Sequence, residues 1–184
     1  MKRLLGAAVA ALLLGLAPPA HATWTIGPNL DLGTRSIDNG DDVTRVELPA
    51  SVGGLRVGFP LGTQHAAILF DTGLSATSGG GARTNQSSLV GSLQWAFSPR
   101  SELTPYANGG LGVRYVAFHT DQSFSAATFT YGVGFGLRQK WGDSASVRAE
   151  IRYDQITQGE DGGVVVTPGG HELGIRFGFD LWVK

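Results

Sequence analysis

From Leu103 to Tyr115, Phe129 to Leu137, Val147 to Tyr153 and Leu173 to Leu181, apolar residues fall at every second position along one face. In the second run Phe129, Tyr131, Val133, Phe135 and Leu137 alternate with Thr130, Gly132, Gly134 and Gly136. A period of two marks strands whose two faces meet different surroundings. The second face here carries glycine and charge. In a water-soluble protein the charged face would meet water and the apolar face a core. Repeated around a closed sheet, the same pattern puts lipid outside and the charges within.

Alternation and turn residues together predict eight strands, at about 23–33, 43–59, 64–74, 86–97, 103–118, 128–141, 145–157 and 171–182. An even count allows both chain ends to lie on one side. The connections fall into two classes. Those at Pro60–Thr63, Ser98–Glu102 and Gly142–Ser144 are short, and those at Thr34–Asp42, Ser75–Asn85, His119–Ala127 and Gln158–Gly170 are longer. Short periplasmic turns and longer outer loops are the asymmetry of outer-membrane barrels. The predicted fold class is therefore all-β, an eight-stranded antiparallel up-and-down transmembrane β-barrel. Strand two changes phase: Val46, Leu48, Ala50 and Val52 are even, whereas Leu55, Val57 and Phe59 are odd. A bulge at Gly53-Gly54 would restore the outward face; two shorter segments separated by a bend are the alternative.

Composition adds an export signal. Lys2 and Arg3, an apolar stretch from Leu4 to Leu16 and the small-x-small sequence Ala20-His21-Ala22 predict a signal peptide at residues 1–22, leaving 23–184 as one outer-membrane β-barrel domain. Taking those two cations from 14 leaves 12 against 15 acidic residues, a mature charge of about −3, which suggests no nucleic-acid partner. Cysteine is absent, so disulfides, thiol redox chemistry and thiolate metal sites are excluded. Beyond the signal no apolar run approaches the roughly 18 residues of a membrane helix. The chain has 28 glycines, too many for turns alone, so glycine must also lie within strands.

The tryptophans sort by strand end. Trp24 opens strand one, Trp95 nears the end of strand four, and Trp141 and Trp182 end strands six and eight, all on the short-turn side. An apolar ring with one N–H donor suits the headgroup level of a bilayer. Together with Phe59 and Phe97 they predict an inner aromatic girdle, although Trp182 breaks strict parity with Leu181.

Parity sends Arg114, Arg138, Arg148, Glu150, Arg152, Asp154, Glu172 and Arg176 into the lumen beside Gly110, Gly112, Gly132, Gly134, Gly136, Gly174 and Gly178. The interior of an eight-stranded barrel is just wide enough for side chains to fill, so a long arginine needs small neighbours. Buried charges also need partners. Glu150 and Glu172 are expected to pair with Arg148, Arg152, Arg176 or Arg138, forming either a static plug or a gated path in which partners exchange.

Three segments carry a resemblance: Thr104-Pro105-Tyr106-Ala107-Asn108-Gly109-Gly110-Leu111-Gly112, Tyr131-Gly132-Val133-Gly134-Phe135-Gly136 and Arg148-Ala149-Glu150-Ile151-Arg152-Tyr153. Through them, mainly in its C-terminal half, the chain resembles the small outer-membrane β-barrel family typified by the OmpA transmembrane domain. Its final strand also resembles that family's assembly signal, here Glu172, Gly174, Phe177 and Phe179. The resemblance implies recognition by the barrel assembly machinery. Family members usually finish on the last aromatic, whereas Asp180-Leu181-Trp182-Val183-Lys184 follows here.

Candidate chemistry is sparse. His119 and His171 lie near outer strand ends with Ser123, Ser125 and Glu172 nearby in sequence, but strands five and eight are not neighbours and a nucleophile needs its base within reach. His65 reads as a polar lining or interface residue. The runs Asn39-Gly40-Asp41-Asp42 and Gly159-Glu160-Asp161-Gly162-Gly163 offer oxygen ligands without the spacing of a defined metal loop. Gly132-x-Gly134-x-Gly136 has no following helix to receive a pyrophosphate. No cofactor, metal or catalytic residue is expected.

The leading expectation is a monomeric, non-enzymatic outer-membrane barrel with a plugged polar lumen, serving envelope integrity or surface-loop contacts. Its partners would be outer-membrane lipid and lipopolysaccharide. A narrow ion or small-solute channel and a lipid A-modifying enzyme are the alternatives. A soluble calycin-like barrel is the competing fold, with the apolar face turned inward.

Overall fold

Backbone polar groups placed in hydrocarbon have no water to bond, so a membrane span built from strands must close on itself. The computed structural model, which describes residues 24–37, 45–47, 52–61, 65–79, 82–119 and 123–183, shows that closure. Its strands are β1 (Trp24–Ile37), β2 (Arg45–Glu47), β3 (Val52–Pro60), β4 (Ala66–Gly79), β5 (Ala82–Ala96), β6 (Leu103–His119), β7 (Ser123–Trp141), β8 (Ala145–Ile156), β9 (Gly159–Asp161), β10 (Val164–Thr167) and β11 (Gly170–Val183). Every neighbouring pair is antiparallel, in the order β11-β8-β7-β6-β5-β4-β3-β1, and β11 pairs with β1 to close an eight-stranded barrel. Residues 1–22, the expected signal peptide, lie outside the described residues, as does Asn39-Gly40-Asp41-Asp42.

The apolar face points outward. Phe135 is 64% and Leu111 62% exposed, while Arg148 is 2% and Glu150 1% exposed. This is the reverse of a soluble barrel, and the calycin-like reading falls with it.

Two expectations of local structure need correction. The connections expected at Ser75–Asn85 and His119–Ala127 are mostly strand. β4 and β5 stay paired from Ala66↔Trp95 to Gly79↔Ala82, and β6 and β7 stay paired to His119↔Ser123. Serine, threonine and alanine lack the apolar alternation of the membrane-level strands, yet the ladder satisfies their backbone groups all the same. Gln158–Gly170 likewise contains the β9–β10 hairpin, whose turn uses Gly162 and Gly163, both at positive φ (59° and 84°) as a two-residue type I′ loop requires.

The second correction concerns strand two. It consists of two segments, β2 and β3, both lying along β1. Between Asp31↔Val52 and Arg35↔Glu47 the chain advances four residues on β1 and five on its partner. That one-residue slip is the parity change seen in the sequence. It falls between β2 and β3 rather than at Gly53-Gly54, which both pair regularly with β1.

Candidate functional site

The strand period sends every second residue of eight strands toward one axis, and most of the charged side chains there form one connected ionic network. Its centre is Glu150 on β8. One carboxylate oxygen accepts from Tyr106 Oη at 3.1 Å, Asn108 Nδ2 at 2.9 Å and Arg56 Nη1 at 3.5 Å, and the other accepts from Arg152 Nη1 at 3.3 Å. Arg56 on β3 also donates to both oxygens of Asp71 on β4, at 2.7 and 2.9 Å. Asp71 accepts further bonds from Asn29 Nδ2 at 2.8 Å and Arg176 Nη1 at 3.2 Å. Arg176 holds Asp31 with two nitrogens, Nη2 at 2.7 Å. Arg152 grips Asp154 in the same forked manner, at 3.0 and 2.7 Å. Arg148 donates to Asp180 at 3.0 Å and to Asn29 Oδ1. Forked guanidinium–carboxylate pairs are among the stronger hydrogen-bonded contacts, and they fix orientation.

Glycine makes the room. Gly132, Gly134 and Gly136 on β7 lie opposite Asp154, Arg152 and Glu150 on β8. A Cβ on Gly134 would stand 2.8 Å from Glu150 Oε1 and 2.7 Å from Asn108 Oδ1, and one on Gly136 would stand 2.6 Å from Tyr106 Oη. A Cβ on Gly178 would collide with the Arg148 guanidinium. Alternation of arginine with glycine is therefore a packing solution, in which the long cation occupies the volume its neighbour lacks.

Of the sequence-predicted lumen residues, Arg148, Glu150, Arg152, Asp154 and Arg176 lie in this network. Arg114 and Glu172 form a separate pair at 3.0 Å, which crosses the lumen because β6 and β11 are not adjacent in the barrel. Arg138 lines the lumen without joining either group, and its Nε is enclosed without a hydrogen-bond partner. Sequence reasoning missed Asp31, Arg56, Asp71 and Asp180, along with the neutral Asn29, Tyr106 and Asn108. Parity carried the signal: Arg56 sits between Leu55 and Val57, Asp71 follows Phe70, and Asp180 has the parity of Arg176. Among the lumen side chains described, six arginines meet six carboxylates, with Lys140 on the same face of β7 near its short-turn end.

Toward the long-loop end the plug opens into a cavity of about 50 Å³, bordered by Asp31, Arg114, Arg152, Asp154, Glu172 and Arg176. The β9–β10 hairpin packs against the long-loop end of β7. Gly159 packs over Thr128 and Ala126, and Asp161 Oδ2 accepts the Ser125 N–H at 3.0 Å. Ile156, Val116 and Thr167 are buried near it.

Outside the lumen, Trp95, Phe97 and Trp141 are exposed at the short-turn end, while Trp24 and Phe59 are half-buried there. Trp182 is half-buried with its Nε1 enclosed. Tyr115, Tyr131 and Tyr153 are exposed on the outer surface toward the other end. In the terminal strand Phe177 is exposed, and Phe179 makes an edge-on contact with Trp141 at 6.3 Å. Gly174 is paired with Gly33 in the closing seam. The histidines are dispersed. His65 stacks on Trp95 with its Nδ1 2.8 Å from the Ala96 carbonyl, His171 stacks on Tyr153, and His119 is exposed on β6. Among the described residues neither His119 nor His171 hydrogen-bonds a serine or a carboxylate, and no group of three acidic or histidine side chains could hold a metal ion.

Known proteins place this architecture. The family model for the outer membrane protein beta-barrel domain matches residues 7–180. Among solved structures, Neisserial surface protein A is similar with a TM-score of 0.68 at 12% identity, covering 86% of this chain and 96% of that one. Outer membrane protein H from Pseudomonas aeruginosa is similar with a TM-score of 0.59 at 15% identity, covering 88% and 99%. A major outer membrane protein from Thermus thermophilus gives 0.59 at 12% identity, covering 89% and 100%. Identities this low compare folds alone. No match was found among curated proteins.

Proposed function

The chain belongs to the outer membrane protein β-barrel domain family, and from that premise we propose that it is a non-enzymatic, ion-tight barrel of the bacterial outer membrane. Its contribution to the cell would be envelope integrity together with the contacts its outer loops make with lipopolysaccharide and the surroundings. The family places it in that membrane. Export by the segment at residues 1–22, a monomeric state and insertion by the barrel assembly machinery belong to the same proposal.

The observation that carries the reading is the continuity of the plug. From Asp180 through Arg148, Asn29, Asp71, Arg56 and Glu150 to Arg152 and Asp154, each side chain hydrogen-bonds the next. An ion would have to break several buried charge-assisted bonds at once to pass. The cavity on the long-loop side favours a narrow channel as the second reading, but it ends on Arg152 and Arg176, which are held by Asp154 and by Asp31 and Asp71. The lipid A-modifying reading finds no support in His119 on β6 and His171 on β11, neither of whose side chains hydrogen-bonds a serine or a carboxylate among the described residues.

Planar-bilayer recording of the refolded protein tests the proposal. The expected result is no unitary current above an empty membrane. Reproducible ohmic openings would establish the channel reading in its place.

A further inference from the structure

Among the barrel-strand side chains described, every Asp, Glu, Lys and Arg but one has the parity of the lumen. The exception is on β5, where the outward series Trp95, Leu93, Gly91, Leu89, Ser87 and Asn85 ends in Arg83. The pairing of β5 with β4 and β6 runs without a slip from Trp95 to Arg83, so no bulge resets the pleat on the way. Arg83 is exposed on the outer surface at the long-loop end.

Beside it the outer surface is hollow. Two rows cross β4, β5 and β6 there: Leu74↔Ser87↔Tyr115, then Ala76↔Asn85↔Ala117 on the long-loop side. In the first row two large side chains, 69% and 46% exposed, flank a serine, and in the second Ala117 is 9% exposed. These six residues border a mainly apolar groove of about 500 Å³, a volume in the range of small-molecule sites, and no carboxylate lines it. The next row, Arg83↔His119, stands two residues further on, about 7 Å along the strand. Arg83 Nε donates to Asn85 Oδ1 at 3.2 Å, which bends the guanidinium back toward a residue of the groove. Neither Nη atom of Arg83 bonds a described residue.

A trough that opens to lipid and ends at a cation calls for an amphiphile, with a chain along the trough and an anion at the guanidinium. Tyrosine at the edge of a span marks the headgroup level, where Tyr115 lies, and the guanidinium fork matches phosphate oxygens. A soluble anion would leave the trough unfilled, and an uncharged lipid would leave the cation unpaired. We infer that the outer groove on β4, β5 and β6 is a binding site for one phosphorylated lipid of the outer leaflet, lipid A, with a phosphate on the Arg83 Nη atoms beside His119 and an acyl chain between Leu74 and Tyr115. The inference rests on the outer-membrane reading above and gives its lipopolysaccharide contact a fixed address on the barrel wall.

The test is native mass spectrometry of the refolded barrel released from detergent micelles, titrated with lipid A carrying its phosphates and with the same lipid stripped of them. The wild type is expected to hold one phosphorylated lipid per barrel in preference to the stripped form. Arg83→Gln should weaken that complex roughly tenfold, the worth of one charge-assisted hydrogen bond, and should remove the preference. Ala117→Trp fills the groove and leaves the charge, so it should weaken both lipids. Arg100→Gln, in the short Ser98–Glu102 connection, should change nothing. Equal affinity in wild type and Arg83→Gln, no preference for the phosphorylated lipid, or a loss as large in Arg100→Gln overturns the site. Gel mobility before and after boiling, measured on the same proteins in vesicles, keeps the two readings apart: an inserted, heat-modifiable barrel without the lipid preference removes this site alone and leaves the outer-membrane barrel standing.

Discussion

Replacing Glu150 by leucine should destabilise the folded barrel by about 3–5 kcal/mol, the usual cost of stripping one partner from a buried ion pair. The carboxylate is 1% exposed and accepts from Tyr106, Asn108, Arg56 and Arg152. Leucine is of similar volume, so the loss would be electrostatic rather than a cavity effect. Arg56 keeps its forked bond to Asp71 and Arg152 its bond to Asp154, so the structure should persist at lower stability rather than collapse. Glu172→Leu provides the comparison. Its partner Arg114 borders the cavity, and their side chains are 17% and 13% exposed, so water can solvate the orphaned guanidinium and the cost should be smaller. Urea unfolding of the refolded variants in lipid vesicles, followed by tryptophan fluorescence, reads both.

Phe135→Arg is the second large effect, at about 2–4 kcal/mol for a cation on the lipid face near the bilayer midplane. Phe135 is 64% exposed and its ladder partners are Ala107 and Ile151, all on the outward face of three adjacent strands. Nothing inside the protein touches the substituted group, so the penalty arises from the solvent. In vesicles the variant should unfold at lower urea than the wild type. Moving the same substitution to Phe97, beyond the end of β5 at the short-turn interface, should cost about 0–1 kcal/mol. With the same outward face in water instead of lipid, the difference would vanish, since an arginine exposed to water is solvated at either position.

Much of this architecture was legible because lipid and lumen impose opposite demands on successive residues. The run from Phe129 to Leu137 reports the pleat of β7 directly, and Leu55, Val57 and Phe59 kept the phase of β3 across the slip. What failed to show in the pattern were segments under only one of those demands. Ser75 to Asn85 and Ser123 to Ala127 pair as strands, but around them the two faces no longer differ in polarity, so the alternation that marks a strand is missing. Loops were expected where hairpins continue. Lumen membership was likewise readable by parity, and it extends to Arg56, Asp71 and Asp180. Pairing was not readable. Arg176 reaches Asp31 across the β1–β11 seam, 145 residues away in sequence, and Arg114 crosses to Glu172. Such partners follow from closure and stagger of the barrel, which single-strand alternation does not encode. Arg138 is the instructive case, since a rule that pairs every buried charge would have given it a carboxylate that the fold supplies to Arg148 instead.

The chain contains no cysteine, so single cysteines can be placed at each position from 129 to 137 and spin-labelled in the bilayer-inserted protein. Collision with oxygen, which concentrates in lipid, and with a water-soluble nickel chelate then reports the surroundings of each site. Labels at Phe129, Tyr131, Val133, Phe135 and Leu137 should collide with oxygen and not with the chelate, and labels at the intervening positions should meet little of either. Chelate access at the odd positions would contradict a barrel with lipid outside and paired charges along its axis.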